Sequence, residues 1–223
     1  MTEKSVKKDM KWDADTYLKQ IALNELGFNA GKADGIDGRK TQWAEISWKK
    51  SLETPSKNKS TSTKPPKADY DSMVKFYGKV GSEANLVLVP APYPMKLAWD
   101  KSVKVKNIRC HKKIAEPLKN ALKEIYDTYG MDWIRKHGLD LYGGVFNNRN
   151  VRNGNTKSKH AWGAAIDLNP SENGNRTPWN EDRVGYRGYG SMPVEAVEIF
   201  EKHGFKHGGR AWGRDAMHFQ YTQ

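Results

Sequence analysis

The stretch Ser158-Lys159-His160-Ala161-Trp162-Gly163-Ala164-Ala165-Ile166-Asp167-Leu168 decides how this 223-residue chain is read. Ala164 to Leu168 has the composition of a short strand. Period-2 alternation then puts Ala165 and Asp167 on one face and Ile166 and Leu168 on the other. Gly163 allows the chain to turn, so that His160 returns to the Asp167 side. A small residue at Ala165 leaves room beside the carboxylate. Near the C-terminus, Asp215-Ala216-Met217-His218-Phe219-Gln220-Tyr221 reads as a second strand. It points His218 and Gln220 one way and Met217, Phe219 and Tyr221 the other, which buries an aromatic face and leaves an imidazole towards a cleft.

An isolated His–Asp pair is usually a hydrogen bond or a coincidence of the surface. Two strands that each turn their polar atoms to one side make a stronger pattern. His160, Asp167 and His218 would together supply two nitrogens and one carboxylate. Zn²⁺ with three such protein ligands keeps a fourth position open, as catalytic rather than structural sites do. Asp215 lies three residues before His218, so on a regular strand the two would face opposite sides. If both serve one site, the backbone must bend between them. A carboxylate so placed suits a general base for amide hydrolysis.

Further out, Ile114, Leu118, Ala121, Leu122 and Ile125 predict an amphipathic helix from about His111 to Tyr129. Ser191 reads as the N-cap of another, with Pro193 in its first turn and Gly204 past its end. A strand is also expected near Leu141 to Phe146. Helices with a small antiparallel sheet define an α+β domain over residues 71–223. Residues 53–70 are rich in Ser, Thr, Lys and Pro and read as a flexible linker, semi-extended at Pro65-Pro66. Residues 1–52 form a small all-α domain. There Leu18, Ile21, Ala22 and Leu26 mark a helix face that ends at Gly27. Gly31, Gly35 and Gly38 punctuate a turn, and Thr41 caps a helix carrying Ala44 and Trp48.

Lys+Arg 38 against Asp+Glu 26 gives a net charge of +12, which directs the chain to anionic partners: nucleic acid, membrane phosphate or envelope polymers. No motif that reads nucleic acid is found, so none is expected as a partner. The start lacks the apolar core of a secretory signal, and the longest apolar run, Asn85 to Pro94, is broken by prolines. No stable membrane insertion is expected. Cys110 is the single cysteine, which excludes an intrachain disulfide framework and a multi-cysteine zinc site. Trp162, Trp179 and Trp212 are open to either a site-lining or a core role.

At these residues the chain resembles the D-alanyl-D-alanine metallopeptidase family, which includes VanY-type carboxypeptidases and phage L-alanyl-D-glutamate endopeptidases. Ser158, His160, Gly163, Ala165 and Asp167, then Asp215, His218 and Phe219, carry the likeness. Met95 to Trp99, His111 to Ala115 and Tyr142 to Arg149 extend it upstream. The resemblance implies one Zn²⁺ per chain held by His160, Asp167 and His218, with Asp215 as catalytic base. It also implies a substrate-orienting arginine, for which Arg149 fits best and Arg152 is the rival. Asp rather than Glu at 215 leans towards the endopeptidases. His207 stands where relatives often carry an aromatic. Residues 1–52 are similar to a three-helix peptidoglycan-binding domain through Leu26 to Phe28, Gly31, Asp34, Gly35, Gly38, Thr41 and Ala44.

Taken together the likeness implies an endolysin: a monomer that stays in the host cytoplasm until a holin opens the membrane, then acts on bacterial peptidoglycan. L-alanyl-D-glutamate cleavage is the leading expectation. D-alanyl-D-alanine carboxypeptidase activity and a non-catalytic zinc-containing wall-binding protein are the alternatives.

Overall fold

The computed structural model describes residues 12–28, 30–53 and 64–223, and the chain divides into two compact units, 1–61 and 62–223. In the first unit, α1 (Ala14–Glu25) starts at Asp13, whose carboxylate accepts from the Thr16 N–H at 2.7 Å. After a glycine turn comes α2 (Arg39–Glu53). Leu23, Ala30 and Ala44 form a small core with Phe28, Trp43 and Trp48 packed against it.

Which face of α1 is buried differs from the apolar-spacing expectation. Leu18 and Leu26 are exposed, while Thr16, Gln20 and Leu23 face inward. The reason is Gln20. Its amide nitrogen donates to Asp34 Oδ1 (2.9 Å), the Ile36 carbonyl (3.1 Å) and Thr41 Oγ1 (2.8 Å). Its carbonyl oxygen accepts from the Asp34 and Gly35 N–H groups, each at 2.9 Å. A buried amide satisfied this fully fixes the helix rotation in a module too small for apolar area to do so. Thr41 is therefore not the cap expected of it; it lies inside α2 and is bonded to Gln20. Two helices, rather than three, occur among the described residues of this unit.

Residues 54–63 of the expected linker lie outside the described residues. The remainder departs from a free tether. α2 runs through Glu53, and the Pro65 and Pro66 carbonyls accept from the Gln223 side chain (2.7 Å) and backbone N–H (2.8 Å).

The second unit has α3 (Tyr70–Tyr77), a hairpin of β1 (Leu86–Leu97) and β2 (Lys104–His111), and α4 (Lys112–Lys136), kinked at Gly130. Then come β3 (Leu141–Gly144), β4 (Ala165–Leu168), α5 (Pro170–Asn173) and α6 (Val194–Lys202). β5 (Lys206–His207), α7 (Gly208–Trp212) and β6 (His218–Gln220) complete it. The six strands form one sheet in the order β2-β1-β3-β4-β6-β5. All pairs are antiparallel except β1–β3, so the sheet is mixed rather than wholly antiparallel. The α+β class holds.

Ile114, Leu118, Leu122 and Ile125 of α4 are fully buried, as the spacing predicts. Phe200 of α6 stacks on Phe219 of β6 at 4.1 Å between ring centroids, which fastens helix to sheet beside the site. Ser191 does not cap α6, as was expected from its position. Pro193 is the N-cap residue, and the Ser191 hydroxyl instead bonds the Glu172 carboxylate.

α3 is tied to the end of the chain by the buried Tyr77, whose hydroxyl donates to the Tyr221 carbonyl at 2.7 Å. Tyr77→Phe keeps the ring and removes that bond. It is expected to lower unfolding free energy by about 1 kcal/mol, read as a lower urea midpoint with an unchanged slope.

Candidate metal centre

Three local devices bring the centre together. The first is a 3₁₀ turn over Lys159–Trp162, with Ser158 as its N-cap and Gly163 closing it at φ 67°. A side chain at Gly163 would be strained by that φ and would stand 3.0 Å from the His111 backbone nitrogen. This turn folds His160 back over β4, as the sequence predicts. The second is register: β4 and β6 pair Asp167 directly with His218 and Ala165 with Gln220. Cross-strand neighbours share a face, so carboxylate and imidazole meet. The third is a close approach from β3, where a Cβ at Gly143 would lie 2.9 Å from Asp167 Cβ.

The result is a buried triangle. His160 Nε2 is 3.2 Å from Asp167 Oδ1 and 3.2 Å from His218 Nδ1, and His218 Nδ1 is 3.0 Å from Asp167 Oδ1. The far ring nitrogens are occupied. His160 Nδ1 donates to the Val145 carbonyl at 2.7 Å, and His218 Nε2 donates to Gln220 Oε1 at 3.2 Å. Gln220 is itself oriented by its amide nitrogen, which donates to Thr222 Oγ1 at 2.7 Å. With those outer N–H groups fixed, the neutral imidazoles turn lone pairs inward against a carboxylate.

Three lone-pair donors facing one another in a buried place require a shared proton or a cation. Tetrahedral zinc ligands at their usual bond lengths stand about 3.3–3.4 Å apart, close to the separations here. The donor set fits Zn²⁺. Among the described residues, these three are the group of His, Cys, Asp and Glu side chains gathered tightly enough to hold a metal ion.

Electrostatics agrees with the geometry. Burial opposes ionisation of Asp167, but the facing imidazoles hold its carboxyl below the ordinary range. Burial likewise opposes a charged His218, yet the Asp167 and Asp215 carboxylates raise its pKa.

Asp215 sits at the bend the sequence requires: its φ is +62°, and β6 begins only at His218. Its carbonyl accepts from the His218 N–H at 3.0 Å. Oδ1 of its side chain is buried with no hydrogen-bond partner among the described residues. Burial first, and the Asp167 charge next, raise its pKa against the opposing effect of His218. The unpartnered oxygen is thus a stronger base than an exposed aspartate.

His160, Asp167, His218 and Asp215 line one cleft of about 490 Å³, and both Arg149 and Arg152 line it too. Trp212 is half-exposed on its wall, 5.8 Å from the His218 ring. Trp162 and Trp179 are instead buried, with indole N–H groups donating to the Gly78 and Met192 carbonyls. His207 is fully buried between Trp179 and Phe219, and its Nε2 donates to the Ala216 carbonyl at 2.9 Å. Burial lowers its pKa to about 4, so a neutral imidazole fills the place of an aromatic. Cys110 is buried and its thiol is pushed up to about 12, which removes it as a nucleophile at neutral pH. Sequence reasoning placed Gln220 on the His218 side but gave it no role. The Val145 carbonyl carried no signal, since any residue could supply it.

Residues 152–221 match the family model described as D-alanyl-D-alanine carboxypeptidase. The matched stretch holds His160, Asp167, Asp215 and His218, and it begins at Arg152, leaving Arg149 and residues 1–52 outside. No curated protein and no solved structure matches. Over that stretch the chain is similar to a family of zinc-dependent peptidases, and the likeness supports a peptidase that acts on peptidoglycan. No helix among the described residues is long and apolar enough to cross a membrane.

Proposed function

We propose that this protein is a zinc peptidase of phage-endolysin type that hydrolyses an amide of the peptidoglycan stem, most specifically the L-alanyl–D-glutamate bond. The observation that carries the reading is the buried His160–Asp167–His218 triangle with the unpartnered Asp215 carboxylate beside it in one cleft. His160 Nε2, Asp167 Oδ1 and His218 Nδ1 would hold the ion. Bound there, Zn²⁺ would supply Lewis acidity towards the scissile carbonyl and towards water.

The chain's own residues do the rest. The Val145 carbonyl and Gln220 keep both imidazoles in the tautomers that offer an inward nitrogen. Asp215 takes a proton from the attacking water. As the water oxygen bonds the carbonyl carbon and the C–N bond breaks, that proton passes from Asp215 to the leaving amine. Arg149, or Arg152, binds a stem carboxylate with its planar fork. Residues 1–52 act as a wall-binding domain that raises the local concentration of substrate without touching the chemistry. In this reading the protein accumulates in the host cytoplasm and reaches the wall once the membrane is opened.

The description of the matched family supports a second reading, removal of the terminal D-alanine. Asp215 speaks against a third, a wall-binding protein without activity, because the carboxylate that hydrolysis needs as a base stands in the cleft, its Oδ1 buried and without a hydrogen-bond partner among the described residues. Mass spectrometry of purified muropeptides after digestion separates them. New amino-terminal D-glutamyl fragments that vanish with a chelator and return with zinc are expected. Loss of a single alanine would move the assignment to carboxypeptidase. Unchanged fragments in the zinc-replete sample would remove the enzymatic reading.

A further inference from the structure

We propose that the cleft selects stem peptides by their free carboxylates and works against the same peptides with carboxamides in those places. This rests on the peptidase reading above and adds the chemical state of the substrate.

Arg149, Arg152, Lys157 and Arg214 line the cleft, and the carboxylates lining it are Asp167 and Asp215 alone. Asp167 is engaged by two imidazoles, and Asp215 is the proposed base. No carboxylate lies within ion-pair distance of those four cations among the described residues. Among the described residues, the Arg149 guanidinium donates only to the neighbouring Asn150 carbonyl, at 3.1 Å. Elsewhere Arg109 holds Glu83, Arg135 holds Asp132, and Arg210 holds Glu181, Glu198 and Glu201. Lys159 also lines the cleft but is committed to the Ala68 carbonyl. Three arginines and a lysine without an ion-pair partner among the described residues therefore line the cleft where the substrate must lie. A cleft lined mostly by one sign of charge concentrates its field on a ligand of the other.

Stem chemistry supplies that ligand. A D-glutamyl residue linked onward through its γ-carboxyl keeps a free α-carboxylate, one carbon from the nitrogen of the scissile amide. A guanidinium can take both of its oxygens. A carboxamide of the same shape has no charge and turns an NH₂ donor towards donors. The cations would then remain unpaired in the complex, and that loss is the source of discrimination.

The test uses the full zinc-loaded chain and two purified muropeptides that differ only in D-glutamyl α-carboxylate against α-carboxamide. Rates of release are read by mass spectrometry in low and high salt. A preference in kcat/KM on the order of tenfold or more for the carboxylate is expected, shrinking as salt screens the exposed cations. In the Arg149→Gln/Arg152→Gln/Arg214→Gln variant, whose changed side chains are exposed, the ratio is expected to fall to about threefold or less. Lys157→Gln added to it should bring the ratio nearer to one. Equal rates on both substrates, or a ratio unchanged in the variants, overturns the selectivity and leaves the peptidase standing. No cleavage of either substrate overturns the peptidase reading itself, and the selectivity with it.

Discussion

Asp215→Asn is expected to lower kcat by about 10²- to 10⁴-fold, the usual worth of a positioned general base, while the chain still binds one zinc ion. The reasoning starts with the backbone. Residue 215 is held at φ +62°, a conformation that Asn tolerates about as well as Asp. The substitution is isosteric, and the carboxylate it removes makes no hydrogen bond through Oδ1. Folding is therefore expected to be undisturbed, and removing a buried carboxylate whose pKa is raised should if anything stabilise the protein near neutral pH. Asp215→Ala provides the contrast. It loses the same base but adds left-handed strain of about 1–2 kcal/mol, so its melting temperature should fall where that of Asp215→Asn does not. Turnover of muropeptides, zinc content by atomic emission and thermal melts give the three readouts. An Asp215→Asn protein with more than a tenth of the parent kcat would take the base assignment away from this residue.

Much of this site was legible because strand chemistry is local. His160, Asp167 and His218 could be placed together from alternation and one glycine, and the bend at Asp215 followed from a three-residue spacing that a strand cannot satisfy. The β1–β2 hairpin was not legible. Pro90, Pro92 and Pro94 interrupt its first strand, and the register shifts between Pro90 and Met95, so the period-2 signal is lost over the same residues where the pairing itself slips. Nor could spacing find the buried face of α1. There Gln20, with its ring of backbone and side-chain partners, outweighs the leucines that periodicity follows. Ser191 misled for a related reason: its hydroxyl had a carboxylate to bind elsewhere. What sequence does not carry is which polar side chain already has a partner.

Chelation should lower the melting temperature of the protein, and by more at pH 8 than at pH 5.5. Zinc that binds only the folded chain stabilises it by about 4 kcal/mol when present at a thousand times its dissociation constant. Protons compete for the same atoms. In the metal-free protein the carboxyl of Asp167 titrates below its unfolded value near 4. Its contribution to stability is therefore present above that pH and is lost as pH falls through the lower folded value. His218 is shifted the other way, above its unfolded value of about 6.5. Its contribution is complete below that pH and is lost as pH rises through the higher folded value. Between about 4 and 6.5 both contributions act, and a proton on His218 relieves the triangle without a metal. At higher pH that proton leaves, two lone pairs face the Asp167 carboxylate, and only a cation restores the balance. Zinc thus has most to gain where the proton is absent. His207, buried and neutral with a lowered pKa, destabilises the acid side of both forms and cancels in the difference. His218→Ala should erase the zinc-dependent shift at both pH values and abolish turnover. A shift of equal size at pH 5.5 and 8, or one that persists in His218→Ala, would place the ion elsewhere than in this triangle.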